Sequence, residues 1–424
     1  MHPERVPMSP EERLPLLDTR RQAKMSTSAH AYVRGTTESF YEWLTTARRK
    51  TLPQGPAIWV GGDCHVGNLG PIASIDGSVE IELRDLDQTV VGSPAHDVIR
   101  LALSMAMAVR ASALPGSVTA HLVEAIARGY ERVLEGCAAR RDVTLPPAPA
   151  ALAKVLRTAV KRSAKQLLEE RLGTKDRVIP IGKRYWPLTD DEHAAVTAYF
   201  ETEHARKLIT VLARRPDDAE VRLLDAAYWV KGCSSLGLWR CAAVVQIGDG
   251  SKDVAGSIAL IDIKEARAGL APKAPRARMP KHQGERVVTG AAKLSPSLGD
   301  RMGSATVAGK EVFIRELLPQ DLKFDLDVLD AGEALDIGGY LGAVVAVAHA
   351  RQMEPAQAAD WLVEFRRTPA ERLTAPAWLW QSVVDLVAVH EGAYLEHCRR
   401  YALRPPVSEA AAMPDIVLHN VTGD

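Results

Sequence analysis

The sequence predicts an α+β fold with helices toward both ends of the chain and most strands in one central region. Apolar periodicity predicts helices over residues 93–140, 150–172 and 334–351. Short runs rich in β-branched residues predict strands, most of which fall between residues 226 and 320. This separation of helical and β-rich segments is typical of an α+β protein rather than an alternating α/β one.

The punctuation of the chain by proline, glycine and charged residues predicts its domain organisation. The expected parts are a loosely ordered N-terminus, a helical part carrying the candidate catalytic loop, a small β-rich part and a set of returning helices. Their boundaries are 1–20, 21–225, 226–320 and 321–424.

Composition is typical of a globular enzyme and argues against several other classes. The chain has 424 residues, of which 46% are hydrophobic and 25% charged, enough for two or three core-bearing units. Its formal net charge is zero, so the protein as a whole exerts no electrostatic attraction on nucleic acid. Five cysteines without paired spacing argue against a disulfide framework or zinc site. We expect a cytoplasmic protein without a membrane span. The sequence contains no feature that indicates the oligomeric state.

The first element with a chemical signature is the loop of residues 61–68. Residues 57–60 predict a short buried strand, and Gly61 and Gly62 after it allow a sharp turn. The loop then carries Asp63, His65 and Asn68.

A predicted hairpin follows this loop. Residues 80–83 alternate like a strand, and Asp76 with Gly77 before them is a turn signal. This strand leads into Asp85 and Asp87. The two acidic segments are therefore expected side by side at the mouth of one hairpin.

These residue types match the requirements of phosphoryl transfer. That reaction needs one carboxylate facing the acceptor hydroxyl and hard oxygen ligands that hold Mg²⁺. We assign Asp63 the first role and count His65 with it as catalytic. Asn68 and Asp85 are the predicted metal ligands. Asp87 is either a further ligand or the main one, with the two Asp roles reversed.

A helix with an acid in its first turn follows the hairpin. Ser93 is the predicted cap, Pro94 the first helical residue, and Asp97 lies in the first turn. The succession of the loop, Asp85 and Asp97 resembles the aminoglycoside-phosphotransferase branch of the protein-kinase-like superfamily. That resemblance implies that Asp97 braces the catalytic loop.

A candidate nucleotide-binding segment lies downstream, in the β-rich part. A loop containing Gly232, Ser234, Ser235 and Gly237 precedes the strand predicted over 240–247. Such a glycine-containing loop between strands is suited to covering phosphates with backbone N–H groups.

The next predicted strand ends in a lysine. Residues 257–263 are rich in β-branched residues and lead into Lys264. Its ammonium is expected on the α- and β-phosphates of ATP, with Glu285 of the next predicted helix as its ion-pair partner. Residues 311–319 predict the last strand of the sheet and a hinge.

The kinase-like resemblance implies a two-lobed fold. The order of the parts in this sequence would make that fold circularly permuted, because the candidate catalytic loop precedes the nucleotide lobe and the helix at 334–351 comes last. Permutation is tolerated where termini lie at the surface. A permuted fold requires Lys264 to lie close to Asp85 across a cleft.

A closer resemblance covers residues 20 to 400. The segments at 31–36, 62–70, 84–89, 263–266 and 348–351, with the Gly232 loop, are similar to the motifs of a bacterial family filed as domain of unknown function 2252. This resemblance implies that the protein is a member of that family, but it implies no particular activity.

Three classes of function compete. The leading prediction is an ATP- and Mg²⁺-dependent phosphotransferase acting on a hydroxyl of a small molecule or peptide, with AMP transfer as a close variant. The second is a non-catalytic nucleotide-binding regulator. The third is a metallophosphoesterase, because Asp63 and His65 also match the start of its metal motif.

Two basic features near the site each have two alternative interpretations. Lys154, Arg157, Lys161 and Lys165 share one helix face, which either docks an anionic acceptor or is simply solvated. Arg34 either contacts a phosphate or carboxylate, or forms a buried ion pair.

Overall fold

The computed structural model describes nine stretches of the chain: 6–46, 51–112, 114–172, 178–211, 215–216, 218–248, 257–322, 330–367 and 374–401. Within them the protein is α+β, as predicted, with fourteen α-helices and antiparallel sheets. The helices are α1 Pro10–Met25, α2 Ala29–Gly35, α3 Thr37–Thr45, α4 Pro94–Ala111, α5 Ser117–Ala138, α6 Ala150–Lys161, α7 Ala164–Leu172, α8 Asp190–Phe200, α9 Glu203–Thr210, α10 Gln283–Leu294, α11 Pro296–Gly299, α12 Ala331–Ala350, α13 Pro355–Phe365 and α14 Ala377–Tyr401.

Ten strands form three sheets in the described residues. They are β1 Ile58–Val60, β2 Leu69–Ala73, β3 Val79–Leu83, β4 Val90–Gly92, β5 Tyr185–Trp186, β6 Val221–Trp229, β7 Arg240–Ile247, β8 Ile258–Glu265, β9 Met302–Val307 and β10 Lys310–Glu316. The largest sheet has the order β5-β6-β7-β8-β10-β9.

This six-stranded sheet is covered on both faces. Alternate residues of β7 and β8 point to opposite sides, as strand geometry requires. Ala243 and Ile261 pack with α8, α9 and part of α1, whereas Val244 and Leu260 pack with α7. Lys264 lies at the end of β8, on the same side of the strand as Leu260.

Two short sheets flank the candidate catalytic loop of residues 61–68. β1 pairs with β4, and β2 pairs with β3 in the hairpin that the turn at Asp76 and Gly77 predicted. Leu69 is opposite Leu83, so Asn68 and Arg84 are neighbours at the mouth of the hairpin. The Arg84 amide donates to the Asn68 carbonyl over 2.8 Å. The expected side-by-side arrangement is therefore present.

Helices α5 and α12 form the closest helix pair of the helical part. A Cβ at Gly129 would lie 1.9 Å from the Gly339 carbonyl oxygen, and one at Gly342 would lie 2.3 Å from that of Ile126. These backbones therefore touch only because glycine has no side chain. Between them and α4 lies a large apolar core.

Gly129→Ala is expected to lower the free energy of unfolding by about 1–3 kcal/mol or more, because overpacking against backbone forces the helices apart. Gly136→Ala, in the same helix but with nothing within 4 Å of its added Cβ, is the matched control. That change should stabilise by roughly 0.5–1 kcal/mol through helix propensity. Urea unfolding of both variants measures the contrast, and equal effects would contradict the close helix approach.

Helix α12 is long and apolar enough to span a membrane by length and composition. However, 67% of its most apolar window is buried inside the protein. A mostly buried apolar helix is also what the core of a globular domain contains.

Four sequence predictions about local structure require correction. Residues 10–20, expected to be loosely ordered, begin helix α1, which Ser9 and Glu12 start with a capping box. The large sheet begins before residue 226, at Val221 and in the short strand β5. Ser93 precedes α4 but makes no side-chain capping bond. The basic segment 267–282, whose prolines, lysines and arginines predict a flexible connector, instead packs on strand β4: the Ala274 amide donates to the Val91 carbonyl.

A buried histidine predicts a loss of stability in acid. His390 of α14 is 1% exposed, and burial, followed by the nearby charge of Arg100, lowers its pKa to about 4. The unfolded chain binds this proton more readily, so stability falls as the pH drops below the unfolded value of about 6.5 and levels off near the folded pKa. The expected loss is about 3 kcal/mol.

Comparing the native chain with His390→Gln tests this assignment. Urea unfolding at a series of pH values between about 7 and 4 should show a shallower acid loss in the variant. Parallel pH profiles for both proteins would mean that another group causes the acid sensitivity.

Candidate functional site

The loop between β1 and β2 is held from below by helix α4. Asp97 Oδ2 accepts from the Gly61 amide over 2.6 Å, and Oδ1 accepts from the Gly62 amide over 3.1 Å. One turn of helix further on, Arg100 reaches the same loop; Ser104 Oγ accepts from the Val66 amide at 2.9 Å. The bracing role that the resemblance implied for Asp97 is thus present as geometry.

Helix α12 contacts Asp97 from the other side. His349 Nε2 lies 3.1 Å from Asp97 Oδ2, and its Nδ1 lies 2.8 Å from the Tyr130 hydroxyl. Gln352, just after α12, bonds to both the amide and the carbonyl of Trp59 in β1. The end of α12 is therefore adjacent to the strand that leads into the loop, although the two are nearly three hundred residues apart.

Asp63 is buried within this loop, with 4% of its surface exposed. Its Oδ1 accepts from Arg100 Nε and its Oδ2 from Thr37 Oγ1, both over 2.9 Å. His65 Nε2 is 3.8 Å from Oδ2. Burial raises the pKa of Asp63, and the charge of Asp87 adds to this, whereas Arg100 opposes it. A buried carboxylate with a raised pKa and a specific charge partner is a candidate functional group, here a proton acceptor.

Asn68 is oriented by the same loop. Its Nδ2 donates to the Asp63 carbonyl over 3.0 Å, which leaves the side-chain oxygen Oδ1 as the atom that can bind a metal. Asp85 follows Arg84, whose backbone pairs with that of Asn68. An amide oxygen and a neighbouring carboxylate suit Mg²⁺, which is usually held by one or two protein oxygens together with phosphates and water.

Lys264 joins the large sheet to the hairpin. Its Nζ lies 3.2 and 3.3 Å from the two carboxylate oxygens of Asp85 and 2.7 Å from Asp87 Oδ2. The lysine side chain is 2% exposed, that of Asp87 11%, and that of Asp85 38%. The predicted proximity of Lys264 and Asp85 is thus present, and Asp85 is the more accessible of the two carboxylates.

Electrostatics keep this cluster charged. Burial acts to raise the pKa of Asp85, but Lys264, then Arg315 and Arg240, outweigh it, and the pKa is lowered. Burial acts to lower the pKa of Lys264, but Asp85 and Asp87 outweigh it, and that pKa is raised. The pair is therefore an ammonium facing carboxylates at neutral pH.

The predicted ion pair between Lys264 and Glu285 is wrong. Glu285 lies on the exposed side of α10, whereas Lys264 is buried against the hairpin. The buried side of α10 presents Arg286, which donates to the carbonyls of Asp87 and Thr89. The helix thus holds the backbone of Asp87, and Asp87 takes the position beside the lysine that sequence reasoning gave to Glu285.

The glycine loop before β7 has the backbone that only glycine adopts readily. Gly232 and Gly237 have φ values of +112° and +105°. Ser234 is exposed at its tip, and a Cβ at Gly232 would lie 2.4 Å from Ser235 Oγ. Lys24 of α1 donates to the Gly232 carbonyl over 2.6 Å. The loop is anchored to the N-terminal helices beside the catalytic loop.

Sequence reasoning missed a charged network on the sheet next to Lys264. Arg240 forms a buried ion pair with Asp262, and Arg315 Nε lies 3.6 Å from the same carboxylate. Burial lowers the pKa of Lys231 well below its usual range, and Arg240 adds to this. Lys231 Nζ lies 4.0 Å from the Trp229 ring centroid. Charged residues within predicted strands were the available signal, since such residues are seldom buried unpaired.

Other predicted features lie apart from these contacts. The four basic residues predicted to share one helix face are all solvent-exposed, but they lie on two helices: Lys154, Arg157 and Lys161 on α6, and Lys165 on α7. In the described stretches, no three His, Cys, Asp or Glu side chains converge as metal ligands. All five cysteines are free thiols, and that of Cys64 is buried in the catalytic loop.

Comparison with known proteins gives one match. The model of a family described as uncharacterized protein conserved in bacteria (DUF2252) matches residues 13–400. No curated protein and no solved structure matches the chain.

Proposed function

Because the chain belongs to the bacterial family DUF2252, whose description states no activity, we propose its function from the site itself. We propose that it is an ATP- and Mg²⁺-dependent phosphotransferase acting on a hydroxyl of a small molecule or peptide. The observation that carries this proposal is the junction of Lys264 with Asp85 and Asp87. It joins a lysine on a sheet to a loop that holds a carboxylate and an amide.

Each side chain has a role that its surroundings support. Asp85 and Asn68 would hold Mg²⁺, which neutralises charge on the transferred phosphoryl group. Asp87 keeps the Lys264 ammonium charged and in place, so that it faces the phosphates. Asp63 faces the acceptor hydroxyl, and Arg100 with Thr37 fixes its orientation. The backbone N–H groups of the loop from Gly232 to Gly237 cover the phosphates.

A permuted, two-lobed protein-kinase-like fold is part of this proposal. Its support is the succession of β6, β7 and β8 in an antiparallel meander, with Lys264 on the third strand and α10 before β9 and β10. After β10 the chain enters α12, whose end contacts β1 through Gln352. In that arrangement the end of α12 would lie next to the strand that leads into the catalytic loop, although the chain does not connect the two directly.

A thermal shift with ATP tests the proposal directly. Binding to the native state stabilises it by about 2.7 kcal/mol at a hundredfold excess over Kd. We expect ATP with Mg²⁺ to raise the melting midpoint and ATP with EDTA to raise it less. If no nucleotide at millimolar concentration shifted the midpoint, the proposal would be wrong.

Asp85→Ala is expected to weaken Mg²⁺-dependent ATP binding by tenfold or more, about 1.4 kcal/mol, because it removes the accessible ionised ligand. Asp87→Ala is the matched control: it removes a carboxylate from the same cluster that is buried beside Lys264. It should weaken ATP binding with and without Mg²⁺ alike. Titration calorimetry in Mg²⁺ and in EDTA separates the two effects. If only Asp87→Ala abolished the Mg²⁺ dependence, the roles of the two carboxylates would be reversed.

A further inference from the structure

Three arginines from separate elements converge near the catalytic loop with part of each guanidinium unused. They are Arg34 in α2, Arg84 after β3 and Arg315 in β10. In each, the Nε atom is buried and has no hydrogen-bond partner within the described part of the chain. The 3.6 Å separation of Arg315 Nε from Asp262 is too long for a hydrogen bond.

Direct contacts tie two of these arginines together. Arg315 Nη1 donates to the Arg84 carbonyl over 2.8 Å, and Arg84 Nη2 donates to the Asp321 carbonyl over 2.9 Å. The Arg84 side chain lies against Gly70, where a Cβ would be 2.7 Å from its Cδ. Arg84 is thus fixed over the first strand of the hairpin.

Arg34 approaches from the other side. A Cβ at Gly67 would lie 3.0 Å from both Cζ and Nε of Arg34, so the guanidinium rests on the backbone next to Asn68. A Cβ at Gly35 would lie 3.0 Å from the sulfur of Cys233 in the glycine loop. Helix α2 therefore lies between the two loops. Its Gly35 approaches the glycine loop, and its Arg34 contacts the candidate catalytic loop.

These positive charges repel one another. The carboxylates of this region are already bound to other cations: Asp85 to Lys264, Asp262 to Arg240 and Asp321 to Arg301. A partly buried cluster of like charges is costly unless an anion completes it.

We propose that Arg34, Arg84 and Arg315 form an anion-binding site that takes a phosphate group. Guanidinium groups bind phosphate oxygens through two parallel N–H bonds, and the unused Nε atoms supply one donor of each such pair. The site lies beside Asn68 and Asp85, so the phosphate belongs either to a nucleotide or to a phosphorylated acceptor. The inference concerns binding alone and holds whether or not the protein transfers phosphoryl groups.

The test measures binding of inorganic phosphate, pyrophosphate and ATP to the full chain by calorimetry, in EDTA so that no metal bridges the ligand. Arg34→Gln and Arg84→Gln are each expected to weaken pyrophosphate binding about tenfold or more, as loss of a charge-assisted hydrogen bond does. Arg34→Lys, which keeps the charge but not the paired donors, should fall between Arg34→Gln and the native chain. Arg132→Gln removes an exposed arginine of α5 and should leave all three affinities unchanged.

Competition identifies the source of the phosphate. If pyrophosphate displaces ATP and Arg34→Gln weakens both, the site holds nucleotide phosphates. If phosphate and ATP bind together and Arg34→Gln weakens phosphate alone, the site holds the phosphate of an acceptor. Either result supports the site. Equal phosphate and pyrophosphate affinities in the native chain, Arg34→Gln, Arg84→Gln and Arg132→Gln would overturn it, even where ATP with Mg²⁺ still binds.

Discussion

Asp63→Asn is expected to lower turnover by about 10²–10⁴-fold while ATP binding persists. The change keeps the size of the side chain but removes the carboxylate that would orient and deprotonate the acceptor hydroxyl, and losing a general base has an effect of this order. Slow ATP hydrolysis or autophosphorylation is the assay, and mass spectrometry tells a phosphoryl adduct from an AMP adduct.

This variant also breaks a buried ion pair with Arg100, which costs about 3–5 kcal/mol when one partner is lost. Turnover is therefore compared well below the melting midpoint of each protein. Thr37→Val is the matched control, because it removes the other hydrogen bond to Asp63 without changing charge. We expect it to lower turnover less than tenfold. Full turnover in Asp63→Asn, with normal ATP binding, would make the role of Asp63 structural.

Asp97→Ala is expected to lower the free energy of unfolding by about 3 kcal/mol or more. It leaves the Gly61 and Gly62 amides and His349 Nε2 without their buried acceptor, and each buried unsatisfied donor costs about 1–3 kcal/mol. Because these amides shape the catalytic loop, turnover should fall as well. Urea unfolding followed by fluorescence measures the stability change.

Ser104→Ala is the control for Asp97→Ala. It lies on the same helix, is also fully buried, and removes the acceptor of one amide of the same loop. Its expected cost is about 1–3 kcal/mol, because one donor rather than three is left unsatisfied. If Asp97→Ala destabilised the protein no more than Ser104→Ala does, the bracing of the loop by Asp97 would be energetically unimportant.

The sequence predicted the elements of this fold well where the signal is local. The strand at residues 57–60, the turn at Asp76 and Gly77 and the strand at 240–247 follow from residue type and periodicity over a few positions. Helix α1 was missed even though Ser9 and Glu12 form a capping box, because charged and proline residues in that stretch weaken its apolar pattern.

Partner choice was less predictable. Glu285 is one residue from Arg286, and helical geometry directs the two side chains of such neighbours to different faces. Which face of α10 packs inward depends on the segment from Asp87 to Thr89, which lies far away in the sequence. The same is true of Arg100, whose charge in an apolar helix required a partner that only the folded loop reveals to be Asp63.

By itself, the sequence determined the α+β class, the residues of the loop from Asp63 to Asn68, the hairpin that brings Asn68 beside Arg84, and the lysine at the end of β8. These depend on turn chemistry and strand periodicity, which act between near neighbours. Only the tertiary structure decided that Asp87 takes the position beside Lys264, that Arg100 pairs with Asp63, and that Arg34 rests on Gly67. Those contacts join distant segments, and they form because buried charges and amides must find partners wherever packing leaves them.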